Sequence, residues 1–313
     1  MARPNSTFTS YLVTPSELNT ALKRQPSDTD SRIIPLCGSW FLPNDPQKRK
    51  GHDVFQQSHI PTARFFDIDA ISDTSSPYPH MLPSPELFQE TMRSMGVKRE
   101  DTVVVYDTAE LGIFSAPRVA WTLKVFGHKG VHVLNNYRLW VEAGLPTEEG
   151  AGQTFERTEY PLPHLESSKI VSFEEMRDIA RKSTSNNNDS SGINILDARS
   201  TGRWQGTEPE PRPGLPSGHI PGSTSVPVPE LLDPETKAFL SAEQLRKVFE
   251  RKGVDASKPV ISSCGTGVTA TVIETALIAA GYGEGEGRRV YDGSWTEWAM
   301  RAEGEDGLIV KGG

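Results

Sequence analysis

Along the chain, short β-branched runs such as Val103-Val104-Val105 and Val260-Ile261 alternate with stretches whose apolar residues recur at helical spacing. That alternation predicts an α/β fold in which each parallel sheet is flanked by helices on both faces. Helices are expected over 15–23, 85–95, 117–126 and 137–143, and again over 172–182, 241–252, 268–280 and 295–301. Ser172 with Glu175, and Ser241 with Gln244, have the spacing of capping boxes.

The two groups of elements are copies of one another. His59-Ile60-Pro61 returns 160 positions later as His219-Ile220-Pro221, and Cys37 and Asp197 each stand 22 residues before their histidine. The run that ends at Asp107 answers the run that ends at Cys264, and Trp140 answers the segment holding Trp295 and Trp298. The reading is therefore two tandem domains, 1–150 and 168–313, joined by a Gly- and Pro-containing linker over 151–167. Segments 183–191 and 283–287 read as solvated loops. Because the His-Ile-Pro motif occurs in both copies, His59 and His219 are expected to lock loop geometry. Trp295 and Trp298 are expected in the core.

Composition narrows the function classes. With 33 basic against 41 acidic residues the net charge is −8, and no basic run exceeds Lys48-Arg49-Lys50, so direct nucleic-acid binding is not expected. The two cysteines, Cys37 and Cys264, are far apart and belong to no metal-ligand cluster, which argues against zinc or a disulfide framework and for a reducing compartment. No apolar run approaches the roughly 18 residues of a membrane span. The first ten residues are Ser/Thr-rich, with one arginine and no acid, a faint transit-peptide composition. The expected location is the cytoplasm, with the mitochondrion as a second compartment.

Candidate chemistry concentrates on Cys264. It stands between a short strand and a helix, at the head of Gly265-Thr266-Gly267-Val268-Thr269, where backbone N–H groups and the positive end of a helix favour an anion. Such placement can lower a thiol pKa from about 8.5 to roughly 3.5–7.5. A lone cysteine is more commonly a small buried hydrophobe, but two glycines so close together indicate a loop built for close backbone approach. Ala270 occupies the place of the arginine in a Cys-x5-Arg phosphatase loop, which disfavours that chemistry. Cations come instead from Arg203 and Arg212, either as anchors for a small anionic substrate or as surface partners of Glu208 and Glu210. The first copy has Asp107 in place of the cysteine and Glu110 in its loop, so it is expected to be non-catalytic. Cys37 is expected to be structural, with redox regulation as the other reading.

Cys264-Gly-Thr-Gly-Val-Thr269, Gly202-Arg-Trp-Gln-Gly-Thr-Glu-Pro-Glu-Pro-Arg212, Ser217-Gly-His-Ile-Pro-Gly222 and Tyr291-Asp-Gly-Ser-Trp-Thr-Glu-Trp298 resemble the rhodanese superfamily, specifically 3-mercaptopyruvate sulfurtransferases. The first copy adds Phe65-Phe-Asp-Ile-Asp69, Ser76-Pro-Tyr-Pro-His-Met-Leu-Pro83 and Phe114-Ser-Ala-Pro-Arg118. The resemblance implies two rhodanese-like domains, the second catalytic, and transfer of sulfur from 3-mercaptopyruvate through a Cys264 persulfide with release of pyruvate. It implies no metal and no cofactor. Arg203 and Arg212 match the arginines that hold the donor, with Gly265, Gly267, Val268 and Thr269 completing the substrate loop. Asp69, His80 and Thr266 match a proton relay in which many relatives carry serine at the position of Thr266. The implied acceptors are thioredoxin, a small thiol or cyanide, and in some relatives a sulfur-accepting protein of tRNA thiolation. Thiosulfate enzymes carry Cys-Arg-Lys-Gly-Val-Thr in this loop, so the neutral Gly265-Thr266 favours a monocarboxylate donor. The family's usual Asp-Ala-Ser-Trp becomes Cys37-Gly38-Ser39-Trp40, and two commoner glycines become Asn135-Asn136. The competing readings are a thiosulfate:cyanide sulfurtransferase and a non-catalytic rhodanese-like binding module.

Overall fold

The computed structural model describes residues 7–25, 31–185, 192–283, 287–302 and 304–312. They form two compact units: Met1–Ser72, Leu82–Glu166 and Pro234–Ala238 belong to the first, while Asp73–Met81, Ser167–Asp233 and Phe239–Gly313 belong to the second. Each half of the chain thus contributes one short segment to the other unit. The segment 73–81, which carries His80, belongs with the unit of Cys264.

The first unit runs β1 (Leu12–Val13), α1 (Pro15–Arg24), β2 (Ile33–Cys37), α2 (Gly51–Gln57), β3 (Arg64–Phe65), α3 (Pro85–Ser94), β4 (Thr102–Tyr106), α4 (Ala116–Val125), β5 (Gly130–Leu134) and α5 (Tyr137–Glu142). The second runs β6 (Ile170–Val171), α6 (Phe173–Ser185), β7 (Asn194–Asp197), α7 (Thr201–Gln205), β8 (Ser223–Ser225), α8 (Ala242–Arg251), β9 (Val260–Ser263), α9 (Ala270–Ala280), β10 (Arg288–Tyr291) and α10 (Ser294–Arg301). The strand orders are β1-β5-β4-β2-β3 and β6-β10-β9-β7-β8, the same order in both copies, and every pairing is parallel. The expected α/β class with flanked parallel sheets is therefore the observed one.

Register ties the copies together residue by residue. Cys37 pairs with Tyr106 and Asp197 with Ser263, so Cys37 and Asp197 are equivalent, and Asp107 is the counterpart of Cys264. The backbone bonds Gly38 N–H to Tyr106 O and Ala198 N–H to Ser263 O repeat at 2.9 Å. Pro35 stands within β2, where a missing N–H would ordinarily break a ladder. It is tolerated because β3 pairs only with Leu36 and Cys37, leaving one side of β2 open at Pro35.

Most expected helices fall within two residues of their predicted ends. The helix expected from 268 begins at Ala270, because Gly267 takes φ +76° and holds the chain in the loop. Two short helices, α2 and α7, were not expected, being too brief to show periodicity. α6 extends to Ser185 and so takes the first three residues of the expected loop 183–191. Residues 186–191, 284–286 and 1–6, on which the remaining loop and leader expectations fall, lie outside the described residues.

The central strands are buried at every position, so both faces of each sheet are packed. In the first unit Phe55, Ile60, Tyr106, Tyr137 and Trp140 pack around Cys37. Burial pushes the Cys37 thiol up to about 12, outweighing its contact with Ser39, which gives it a structural place. In the second, Ile195, Ile261, Trp295 and Trp298 form the corresponding layer, so both tryptophans are core residues as expected.

Candidate functional site

Strand β9 ends at Ser263, and Cys264 follows it just outside the carboxyl end of a parallel sheet, where ligands of such folds collect. Cys264 is only 1% exposed. Its N–H donates to Ser294 Oγ at 3.1 Å, and Ser294 Oγ–H donates to Tyr291 O at 2.8 Å. Ser294 holds this position with φ +48°, a conformation a non-glycine residue adopts at a cost. The Cys264 carbonyl accepts Trp295 N–H at 2.9 Å, and the Gly265 carbonyl accepts both Thr296 N–H at 2.9 Å and Thr296 Oγ1–H at 2.8 Å. The N-terminal turn of α10 therefore clamps the start of the loop. Gly267 and Val268 are buried, and Thr269 is the residue before α9, without a side-chain capping bond.

The first copy displays what this loop geometry does with an anion. Asp107 sends its carboxylate to the N-terminal end of α4, where it accepts Phe114 N–H at 2.7 Å, Ser115 N–H at 3.0 Å, Ala116 N–H at 2.9 Å and Ser115 Oγ–H at 2.6 Å. Burial pushes this carboxyl up to about 6 against the pull of those donors, which leaves it ionised at neutral pH. In this copy the cradle exists and the chain's own carboxylate fills it.

Thr266 is 5% exposed, and its Oγ1 lies 3.0 Å from His80 Nδ1. His80 is itself buried, with φ +64°, in a loop closed by Asp73 N–H to Met81 O at 3.0 Å. The structure thus brings together Cys264, Thr266 and His80. Asp69 belongs to the first unit, where its two oxygens lie 3.1 and 3.0 Å from Trp40 Nε1.

Arg203, on α7, donates from Nε to both Glu210 oxygens at 3.2 Å and from Nη2 at 2.5 Å, so the surface-pair reading of this arginine is realised with Glu210. It is nonetheless at the loop, since a Cβ on Gly265 would lie 3.2 Å from Arg203 Nη2. Arg212 is half-buried in the segment that follows. Glu210 also accepts Arg199 Nη1 at 2.8 Å, and Arg199 is fixed by Asp197, by Gly218 O and by the Trp295 ring 4.2 Å away. Ser294, Thr296 and Arg199 escaped the sequence reading. Their roles follow from where tertiary folding puts α10 and α7. Among the described residues, no group of three or more His, Cys, Asp or Glu side chains could hold a metal ion, and no helix is long and apolar enough to cross a membrane.

A family model described as a rhodanese-like domain matches residues 180–301. The chain is 43% identical to the thiosulfate sulfurtransferase TUM1 of Saccharomyces cerevisiae, with 88% of this chain and 91% of that protein covered. It is 39% identical to the 3-mercaptopyruvate sulfurtransferase of Homo sapiens, covering 87% and 86%. Its fold matches that of a yeast mitochondrial complex I sub-stoichiometric sulfur transferase subunit with TM-score 0.84 and 37% identity, covering 97% of this chain and all of that one. A cysteine loop at the end of the central strand in one of two duplicated sheets, together with these relatives, gives the conclusion: the chain belongs to the rhodanese family and is a sulfurtransferase.

Proposed function

We propose that the sulfur donor is 3-mercaptopyruvate and that Cys264 carries the sulfur as a persulfide. Cys264 thiolate attacks the donor sulfur, so an S–S bond forms as the S–C bond breaks and its electron pair passes to pyruvate enolate. The enolate carbon takes a proton from Thr266 Oγ1, which His80 replenishes, while the donor's thiol proton leaves the persulfide. The outer sulfur, now anionic, rests against the amides of Gly265, Gly267, Val268 and Thr269 at the head of α9. Arg203 and Arg212 hold the donor's carboxylate and carbonyl.

The observation that carries this reading is the 3.0 Å contact between His80 Nδ1 and the hydroxyl of Thr266, two residues past the cysteine. A proton source at that place serves a carbon leaving group, whereas sulfite leaving from thiosulfate needs none. A small thiol, thioredoxin or cyanide then removes the sulfur, and a protein partner in tRNA thiolation belongs to the same class of nucleophile. No metal or cofactor enters. The first unit is assigned a non-catalytic role, and the compartments are the cytoplasm and the mitochondrion. Intact mass after incubation with 3-mercaptopyruvate should gain one sulfur atom in the unaltered protein and none in Cys264→Ser; sulfur on the serine variant would refute the assignment.

A further inference from the structure

Four charged side chains form a ladder beside the cysteine loop: Asp197, Arg199, Glu210 and Arg203. The first three are almost wholly buried, and Arg203 is 21% exposed at the loop end. The ladder sums to zero charge. Asp197 engages Arg199 Nε and Nη2, Arg199 Nη1 engages Glu210, and Glu210 takes the Nε and Nη2 edge of Arg203. The far end is tied to the site a second way, because Trp295, whose ring lies under the Arg199 guanidinium, donates its backbone N–H to the Cys264 carbonyl. What remains of Arg203 for an incoming donor is its Nη1 edge, together with an Nη2 aimed at Gly265.

We propose that Glu210 is a positioning residue that sets donor specificity: it holds Arg203 beside Gly265 and cancels much of its charge, so the site selects a donor with one negative charge over a dianion. Two features follow from the geometry. Glu210 cannot swing away to release Arg203, because Arg199 holds its other side in a buried frame. An added side chain at position 265 would meet the guanidinium that Glu210 fixes there. The inference rests on the proposed site but concerns the ratio of donors rather than the identity of the nucleophile.

The test compares 3-mercaptopyruvate and thiosulfate as donors, with cyanide as acceptor, in the unaltered protein, Glu210→Gln and Glu210→Asp. Loss of one negative charge acts twice as strongly on a dianion as on a monoanion. In Glu210→Gln the thiosulfate:mercaptopyruvate ratio of kcat/KM should therefore rise about tenfold, chiefly through a lower KM for thiosulfate. Glu210→Asp keeps the charge but withdraws it, and should move the ratio the same way by about threefold. Both shifts should shrink as salt shortens the Debye length below about 8 Å. A purely structural residue would lower activity on both donors in proportion, leaving the ratio and its salt dependence unmoved, and that result would overturn the proposal. Should Glu210→Gln fail to fold, Glu210→Asp decides, because an unchanged ratio there is equally fatal. Absence of sulfur loading from mercaptopyruvate in the unaltered protein would instead sink the proposed function, while the thiosulfate KM of the variants would still report on Glu210.

Discussion

Asp107 and Cys264 occupy the same place in two copies of one scaffold, so a carboxylate stands in the first copy where the proposed chemistry puts the reactive thiol in the second. A carboxylate at this place reaches the amides of its own loop and satisfies them. Asp107→Asn would turn an amide NH2 onto a cluster of donors. It should lower stability by about 1–3 kcal/mol at neutral pH, read as a reduced urea midpoint, since buried donors then lack an acceptor. An unchanged midpoint would show that the carboxylate does not hold that loop. Thr266 offers a matching test on the reactive side. Thr266→Val keeps the shape and removes the proton, so kcat with 3-mercaptopyruvate should fall about 100-fold or more while thiosulfate turnover stays near its original value. Thr266→Ser should restore mercaptopyruvate turnover. An equal loss with both donors in Thr266→Val would count against proton delivery to the enolate.

At the level of elements, β9 differs from β4 in a way that burial makes costly. Ser262 and Ser263 are fully buried on β9, and their hydroxyls have no hydrogen-bond partner, whereas the matching positions on β4 are Val105 and Tyr106. An unsatisfied buried hydroxyl forfeits its hydration without return. Ser262→Ala should thus raise stability by about 1 kcal/mol, and a fall in the denaturation midpoint would mean the hydroxyl is satisfied in solution. The same comparison explains what was readable beforehand. Local chemistry was: Ser241 and Gln244 form the capping box their spacing announced, and Pro15, Pro85 and Gly281 mark helix ends where a fixed φ or a left-handed turn requires them. The box at Thr14 and Glu17 has the same logic and could have been read. Placement between distant segments was not readable. Nothing local in 73–81 says that it belongs to the second unit, and Glu208 and Glu210 look alike in sequence until folding aims Glu210 at two arginines and Glu208 at Ser200.

Across the whole molecule, duplication has preserved supports rather than reactive groups. His59 Nδ1–H donates to Phe55 O at 3.0 Å and stacks on the Phe55 ring, and His219 Nδ1–H donates to Trp204 O at 2.9 Å and stacks on Trp204. Each also forms a backbone bridge, to Glu148 and to Val310, and Trp140 and Trp298 each donate Nε1–H at 2.9 Å to a later carbonyl, of Pro146 and of Leu308. These devices recur in a unit that carries Asp107, not a cysteine, after its central strand β4, so they answer to folding. Their chemistry makes stability depend on pH. Burial lowers His128, which accepts from Tyr160 O–H and donates to Asp101 O, and likewise lowers His132 and His219 below the ordinary imidazole value of 6.5. A group with a lowered folded-state pKa that is neutral when deprotonated binds protons more readily once unfolded. Its stabilisation is therefore complete above about pH 6.5 and is lost as pH falls below that value. Urea midpoints should accordingly drop between pH 7.5 and 5.5, and His128→Gln should flatten that slope in part, with His219→Gln removing a further share from the other unit. A midpoint that holds constant over this range, or a slope that neither substitution changes, would assign acid sensitivity to carboxylates instead.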